Sequence, residues 1–173
     1  TALGHGILIA LLSSPLYALD GNESELLQLA STGETASATA LIGSNTDVNQ
    51  AQLDGTTALH WAVYYNDEEM VAQLLRRGAT ANVRNEFGSS PMSEAAINGN
   101  AKIIKRLLDA GADANERGAD DQTPLMVVAR TPNVDAAKVL VKAGADVNAV
   151  EKWRGQTALM WASAQQQAGM VKF

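Results

Sequence analysis

The stretch Leu107-Leu108-Asp109-Ala110-Gly111-Ala112-Asp113-Ala114-Asn115 decides the fold of this chain, because close copies of it recur at a fixed interval. Two more copies occupy positions 74–82 and 140–148, and a weaker one ends near position 49. The copies end on asparagines that each lie 33 positions after the previous one: Asn49, Asn82, Asn115 and Asn148. A fixed period of this length indicates an array of stacked structural repeats.

A second phrase, Thr57-Ala58-Leu59-His60-Trp61-Ala62, recurs in phase with the first at positions 90–95, 123–128 and 157–162. The first three copies start 33 positions apart and the last starts 34 positions on, so one residue is inserted ahead of it. Each copy begins with Thr or Ser followed by Ala or Pro. That pattern predicts a helix start, because a hydroxyl caps the free N–H groups and proline suits the first helical position.

The apolar spacing of each repeat predicts a second helix. An amphipathic helix can carry one stripe of apolar residues at positions i, i+1, i+4 and i+5. The second repeat shows this spacing at Met70, Val71, Leu74 and Leu75. The helix then ends at a glycine, which takes the left-handed conformation without a Cβ penalty. A helix pair of this size cannot bury its own stripe, so the next repeat must cover it.

Together the two phrases resemble the ankyrin repeat, whose consensus is Thr-Pro-Leu-His-x-Ala-Ala followed by Leu-Leu-x-x-Gly-Ala-Asp-x-Asn. The resemblance covers roughly residues 22–173. It implies an all-α solenoid in which each unit is a helix-turn-helix plus a β-hairpin finger, in about four and a half copies. The predicted repeats span about 22–54, 55–87, 88–121, 122–155 and an incomplete 156–173.

Composition narrows the class of partner. The formal net charge is −6, with 13 Lys+Arg against 19 Asp+Glu, which argues against a nucleic acid because a phosphate backbone calls for a clustered basic surface. The basic residues gather on the predicted second helices, where a solvated outer face is the expected role. Cysteine is absent, so a disulfide framework is excluded, although that absence does not fix a compartment.

Residues 1–21 break the period and carry an apolar run at 6–18. Roughly a dozen apolar residues are too few for a stable membrane span, which takes about 20. The run is typical of a signal peptide processed after Ala18, and predicts a periplasmic or secreted protein. The alternative is an apolar N-terminal helix that covers the first repeat of a cytoplasmic protein. At the other end, the fifth repeat stops inside its second helix, and we expect a longer protein.

The sequence lacks a convergent set of catalytic groups. It has two histidines, and no pair of His or carboxylate residues shows metal-ligand spacing. The resemblance implies that His60 ties a helix start to its neighbouring hairpin. Asp47, Asp113 and Asp146 recur with the fold, which favours turn chemistry over catalysis. We therefore predict no enzymatic activity, no cofactor and no metal.

The resemblance implies a protein partner that binds to the hairpin tips and the exposed face of the first helices. Trp61 and Trp161 lie on those helices, where inter-repeat packing competes with partner contact. By position, the predicted partner-binding residues are Leu53, Asp54, Tyr64, Tyr65, Glu86, Phe87, Ile97, Asn98, Asp120, Gln122, Arg130, Trp153 and Arg154. The leading hypothesis is a non-catalytic interaction module. The alternative is an ankyrin docking segment of a larger enzyme or membrane protein.

Overall fold

A computed structural model describes residues 24–43 and 45–173. The described residues form five pairs of short helices. In order they are α1 (Glu25–Ser31), α2 (Thr35–Ala40), α3 (Ala58–Tyr64), α4 (Glu68–Arg76), α5 (Pro91–Asn98), α6 (Ala101–Asp109), α7 (Pro124–Val128), α8 (Val134–Lys142), α9 (Ala158–Ala164) and α10 (Ala168–Lys172). Residues 1–21 lie outside the described part, so the signal peptide and the periplasmic or secreted location stay predictions.

The helices stack in two layers. The first helices α1, α3, α5, α7 and α9 pack in series, and so do the second helices α2, α4, α6, α8 and α10. These neighbours cover the centre of the apolar stripe in the second helices: Leu74, Leu107 and Leu140 are each 0% exposed. Each repeat therefore supplies part of the core of the next one, which confirms the predicted solenoid.

A glycine with positive φ lies two residues after the end of each central second helix. Gly78, Gly111 and Gly144 have φ of 86°, 89° and 90°, and the alanine that follows each of them donates to a carbonyl five residues back. A Cβ on any of the three glycines would meet no atom within 4 Å. Glycine is therefore required here by the left-handed backbone and not by lack of space.

Three of the four recurring asparagines join their repeat to the next with two hydrogen bonds apiece. The Asn82 side chain donates to the Gly111 carbonyl at 2.7 Å and accepts from the Asp113 N–H at 3.1 Å. Asn49 makes the same pair of bonds to the second repeat, and Asn115 makes it to the fourth. We call this series the asparagine ladder. It explains why the phrase Gly-Ala-Asp-x-Asn keeps its period.

The predicted turn role of the aspartates is confirmed. The carboxylates of Asp47, Asp113 and Asp146 each accept from the N–H of the recurring asparagine two residues later, at 2.8–3.0 Å. The aspartate thus fixes the turn that presents the asparagine side chain.

The fourth repeat departs from the others between its two helices. At this turn Asn66, Gly99 and Gln166 have positive φ, whereas the fourth repeat has Pro132. Proline is fixed near φ of −65° and cannot take that conformation. The first helix of this repeat is correspondingly short, five residues in α7 against eight in α5.

Candidate protein-binding surface

A finger is the hairpin that precedes a first helix. Among the described residues no finger forms a named strand, and the single isolated bridge joins Ala51 to Thr57. Each finger is instead closed by one backbone hydrogen bond at an equivalent place. The donor and acceptor pairs are Gln52 to Thr56, Asn85 to Ser89, Gly118 to Gln122, and Glu151 to Gln156. The predicted fingers are present, but as hairpin turns without a strand ladder.

A buried polar side chain holds the second finger in shape. The side-chain oxygen Oδ1 of Asn85 accepts from the backbone N–H groups of Phe87 at 3.1 Å and Ser89 at 2.9 Å. Its amide donates to the Thr56 hydroxyl of the preceding finger at 3.1 Å. Asn85 thus fixes the tip and ties two fingers together.

A carboxylate does the same work in the fourth finger. Glu151, only 5% exposed, accepts from the N–H groups of Trp153, Arg154 and Gln156 at 2.6, 2.8 and 2.9 Å. The Gln156 N–H, followed by those of Trp153 and Arg154, lowers the pKa of Glu151 because these bonds favour the charged form. The inserted residue lengthens this finger without loosening it.

His60 has the predicted structural role. The Thr57 N–H donates to His60 Nδ1 at 3.2 Å, and Nε2 lies 3.3 Å from the Ser89 carbonyl oxygen of the next finger. Nδ1 must therefore be the unprotonated nitrogen, and Nε2–H is the donor. Burial lowers the pKa of His60, so the ring is neutral at pH 7.

Three aromatic rings of the second repeat form one cluster on the first-helix layer. The Trp61 and Tyr64 rings meet edge to face with centroids 5.9 Å apart, and Trp61 stacks on Tyr65 at 6.2 Å. Trp61 is 9% exposed and donates to the Gln52 side chain at 3.0 Å, which favours packing over partner contact for this residue. The Tyr65 hydroxyl donates to the Ser31 carbonyl of the first repeat at 3.1 Å.

In the third repeat, Glu94 takes the position that Trp61 holds in the second. The Glu94 carboxylate is half-buried and accepts from the Ser89 hydroxyl at 2.7 Å. One turn further along α5, the Ile97 side chain is 51% exposed, while Asn98 donates to the Val63 carbonyl at 2.8 Å. An acidic and an apolar group therefore follow directly after the aromatic cluster.

The first-helix layer of the last two repeats also carries a charged group and an aromatic ring. The Arg130 guanidinium lies over the Trp161 ring, 5.5 Å from its centroid, within the range of a cation–π contact. This contact joins the fourth repeat to the fifth, which is one of the two roles that the sequence left open for Trp161.

Most of the predicted partner-binding residues lie on this surface with substantial exposure. Leu53, Phe87 and Trp153, at the finger tips, are 80%, 50% and 79% exposed. Glu86, Asp120, Arg130 and Arg154 are also exposed, whereas Asp54 and Gln122 are half-buried within their fingers. The Asp54 carboxylate accepts from the Thr56 N–H at 2.8 Å. Asp54 therefore shapes its finger first, and contact with a partner would be secondary.

Sequence reasoning left Glu94 out of the site. The repeat spacing could have identified it, because Glu94 lies 33 positions after Trp61, and Val127 and Trp161 follow after a further 33 and 34 positions. That spacing places them in one row across the first helices.

The described residues hold neither a candidate metal site nor a candidate membrane span. Residues 24–43 and 45–173 contain no group of three or more His, Cys, Asp or Glu side chains that could hold a metal ion. No helix in that same part of the chain has the length and apolarity to cross a bilayer.

A family model described as ankyrin repeats (3 copies) matches residues 26–118 and 95–173. The chain belongs to the ankyrin repeat family. Ankyrin repeats are protein-interaction modules and are generally non-catalytic. A protein is therefore the expected class of partner for this chain.

Two curated relatives from Arabidopsis thaliana share part of this ankyrin array. "Serine/threonine-protein kinase 12" is 34% identical over 85 residues, which is 47% of this chain and 18% of the kinase. "Calmodulin-binding transcription activator 6" is 46% identical over 54 residues, which is 31% of this chain and 6% of the activator. The chain thus spans less than a fifth of each relative.

Proposed function

We propose that this ankyrin array is a non-catalytic module that binds another protein through its fingers and the exposed face of its first helices. The observation that carries the proposal is the exposure of Leu53, Phe87 and Trp153 at the finger tips. These side chains do not contribute to the buried core, so stability does not account for them. Aromatic residues are common energetic anchors of protein interfaces.

The finger backbones support the same proposal because they are fixed before a partner arrives. Asn85 and Glu151 hold the tips that carry Phe87 and Trp153 with two and three N–H bonds respectively. A preorganised tip loses little conformational entropy on binding, so more of the contact energy goes into affinity.

The surface is large enough for a stable complex. Neighbouring helices lie about 8–10 Å apart, so an array of this many layers offers a groove roughly 40 Å long. A standard interface takes about 800 Å² from each partner. A protein or an extended peptide could therefore contact several fingers at once.

The test measures how much of a partner protein is captured by the wild-type chain and by each of three variants. Phe87→Ala combined with Tyr65→Ala removes two proposed anchors. Phe87→Ala combined with Trp153→Ala removes two tips and spares the Tyr65 hydrogen bond to the first repeat. Val147→Ala is the matched control, because Val147 is 49% exposed but lies on the ladder side of its repeat.

We expect both double variants to reduce recovery of a specific partner at least tenfold, whereas Val147→Ala leaves it unchanged. If every partner recovered with wild type is recovered equally with both double variants, the proposed surface is wrong. Circular dichroism melting of each variant shows whether a loss comes from unfolding.

A second candidate is a docking segment within a larger enzyme or membrane protein. The observation in its favour is that both relatives extend far beyond the matched region, and one is named as a kinase. The neighbouring genomic sequence discriminates the two candidates. Further 33-residue copies favour a stand-alone module, and a new set of catalytic or membrane motifs favours the docking segment.

A further inference from the structure

We propose that the row of finger tips binds an extended partner segment that is basic along the first three fingers and acidic at the fourth, an inference that rests on the proposed binding function. A tip is the set of residues between the two that close each finger: 53–55, 86–88, 119–121 and 152–155. The first three tips contain no Lys or Arg, whereas the fourth has Lys152 and Arg154 on either side of Trp153. The carboxylates of the first three tips are Asp54, Glu86, Asp120 and Asp121.

The tips form a continuous row in which the sign of the charge changes once. The Glu86 N–H donates to the Asp54 carbonyl at 2.7 Å, which joins the first tip to the second. The Lys152 N–H donates to the Asp120 carbonyl at 2.9 Å, which joins the third tip to the fourth. Neighbouring helices lie about 8–10 Å apart, so the acidic tips extend over roughly 20 Å and the basic tip lies about 10 Å further on.

The tip charges remain available to a partner. Among the described residues, the ion pairs join side chains of the second helices or lie at the base of the fingers, and none includes a tip residue. Lys152 and Asp120 do not pair with each other although their backbones are bonded. The Asp54 carboxylate accepts from one backbone N–H, and an ionised carboxylate has about four lone-pair sites, so it can take further donors.

The arginines at the base of the fingers have other partners. Arg84 pairs with the buried carboxylate of Glu116 at 3.4 Å. The Arg117 guanidinium donates to the Asp121 carbonyl of the third finger at 2.9 Å and to the Val150 carbonyl of the fourth at 3.1 Å. Because both side chains are held at the finger bases, the tips above them keep their acidic character.

The first-helix layer carries its charges in the same order. Glu94 of α5 lies beside the second finger, where its carboxylate accepts from the Ser89 hydroxyl at 2.7 Å. Further along the stack, the exposed Arg130 follows α7 and lies over the Trp161 ring of the fifth repeat. An acidic side thus precedes a basic side both at the tips and on the helices behind them.

This arrangement of charge selects among partner segments. Ion pairs between exposed groups contribute little affinity, so Phe87 and Trp153 would provide most of it. The charges decide which segment is accepted, because like charges that face each other are unfavourable. A segment of one sign is repelled at one end of the row, and only a segment of divided charge is matched at every tip. An extended chain advances about 3.3 Å per residue, so about nine residues cover the row, of which about six are on the basic side.

The experiment selects a phage-displayed library of random twelve-residue peptides on the whole chain. It uses the wild type, a tip variant with Lys152→Glu and Arg154→Glu, and a control variant with Arg77→Glu and Lys142→Glu. The two variants change the net charge by the same amount. Arg77 and Lys142 are exposed at the ends of second helices and belong to none of the ion pairs among the described residues, so the control leaves the tips intact. Circular dichroism melting checks that both variants are folded.

We expect the wild type and the control variant to select peptides with Lys or Arg in one half and Asp or Glu in the other. The tip variant should select peptides that are basic throughout. When the acidic residues of the tightest wild-type peptide are replaced by lysine, its dissociation constant should rise at least tenfold for the wild type and fall for the tip variant. Both changes should shrink between about 0.1 M and about 1 M salt, because the Debye length falls from about 10 Å to about 3 Å.

Three results would overturn the divided segment and leave the proposed function standing. One is a set of peptides that need Phe87 and Trp153 but show no division of charge. Another is an equal change of preference in the control variant, which would mean that net charge decides. The third is a dimer of the chain alone in sedimentation that the tip variant abolishes, which would make a second copy the occupant.

The proposed function has its own negative result in the same experiment. A library without binders, or binders that are indifferent to Phe87→Ala combined with Trp153→Ala, would contradict the proposed function together with the divided segment.

Discussion

The turn after each second helix and the finger before each first helix differ in what the sequence keeps constant. Asn49, Asn82 and Asn115 make the same two bonds in three successive turns. The fingers share one closing backbone bond, yet the residue at its donor position is Gln52, Asn85, Gly118 or Glu151. Periodic positions therefore build the array, and the positions that change from repeat to repeat give the surface its specificity.

The largest expected effect comes from a substitution in the buried core that the periodic residues form. Leu107→Ala should lower the free energy of unfolding by about 2–5 kcal/mol, because truncation of a buried leucine loses contacts and leaves a cavity. Chemical denaturation followed by circular dichroism measures it. Leu53→Ala, at an 80% exposed tip, is the control and should stay within about 0.5 kcal/mol. Equal losses in the two variants would contradict the division between core and tip.

A smaller effect tests one step of the asparagine ladder. Asn82→Ala removes two hydrogen bonds between repeats and should cost about 1–3 kcal/mol by the same measurement. Asn148→Ala is the matched control, because among the described residues the Asn148 side chain has no hydrogen-bond partner. If Asn82→Ala is as stable as Asn148→Ala, the ladder does not stabilise the array.

The pH dependence of folding stability should distinguish the second repeat, which has His60, from the third, which has Ser93 at the equivalent position. His60 is neutral in the fold and its pKa lies below the ordinary 6.5, so the unfolded chain binds more protons just below that pH. Stability from His60 should be full above pH 6.5 and fall as the pH drops below it. His60→Ser, which copies the cap that Ser93 gives the third repeat at 2.9 Å, should remove this slope. Denaturation midpoints between pH 7.5 and 5 test it, and an unchanged slope in the variant would assign the effect elsewhere.

The smallest expected effect is local and compares two fingers. The pKa of Glu151 is below the ordinary 4.5, so its N–H bonds should hold at pH 4.5 and be lost as the pH falls through the folded pKa. The amide NMR signals of Trp153, Arg154 and Gln156 should shift with one common titration. Those of Phe87 and Ser89 should not, because Asn85 does not titrate. Glu151→Gln should abolish the common titration, and its persistence would mean that another carboxyl group causes it.

The periodic features could be predicted from sequence because each depends on local chemistry. Gly111, Asp113 and the hydroxyl caps act within a few residues of themselves, so their spacing was sufficient. The same reasoning left out Glu94, whose place beside Trp61 and Tyr64 depends on how α5 packs beside α3.

Two local features also escaped prediction. Pro132 replaces a residue with positive φ, and the structure shows the shortening of α7 that accompanies it. Leu159 matches Leu59 in the motif but is 56% exposed instead of 1%, because no described repeat packs over it. Burial depends on the neighbouring repeat, which the motif itself does not contain.

The asparagine ladder also makes the length of this molecule an adjustable quantity. Each ladder asparagine bonds to the turn that lies one repeat further along the chain. A duplicate of residues 83–115 inserted after Asn115 would therefore keep every existing pair of bonds and add one more pair of the same kind. The added unit would displace the fourth finger from the second by one helix spacing and leave each finger unchanged. Protein engineers could thus use this chain as a ruler that varies the separation of two binding tips while their chemistry stays fixed.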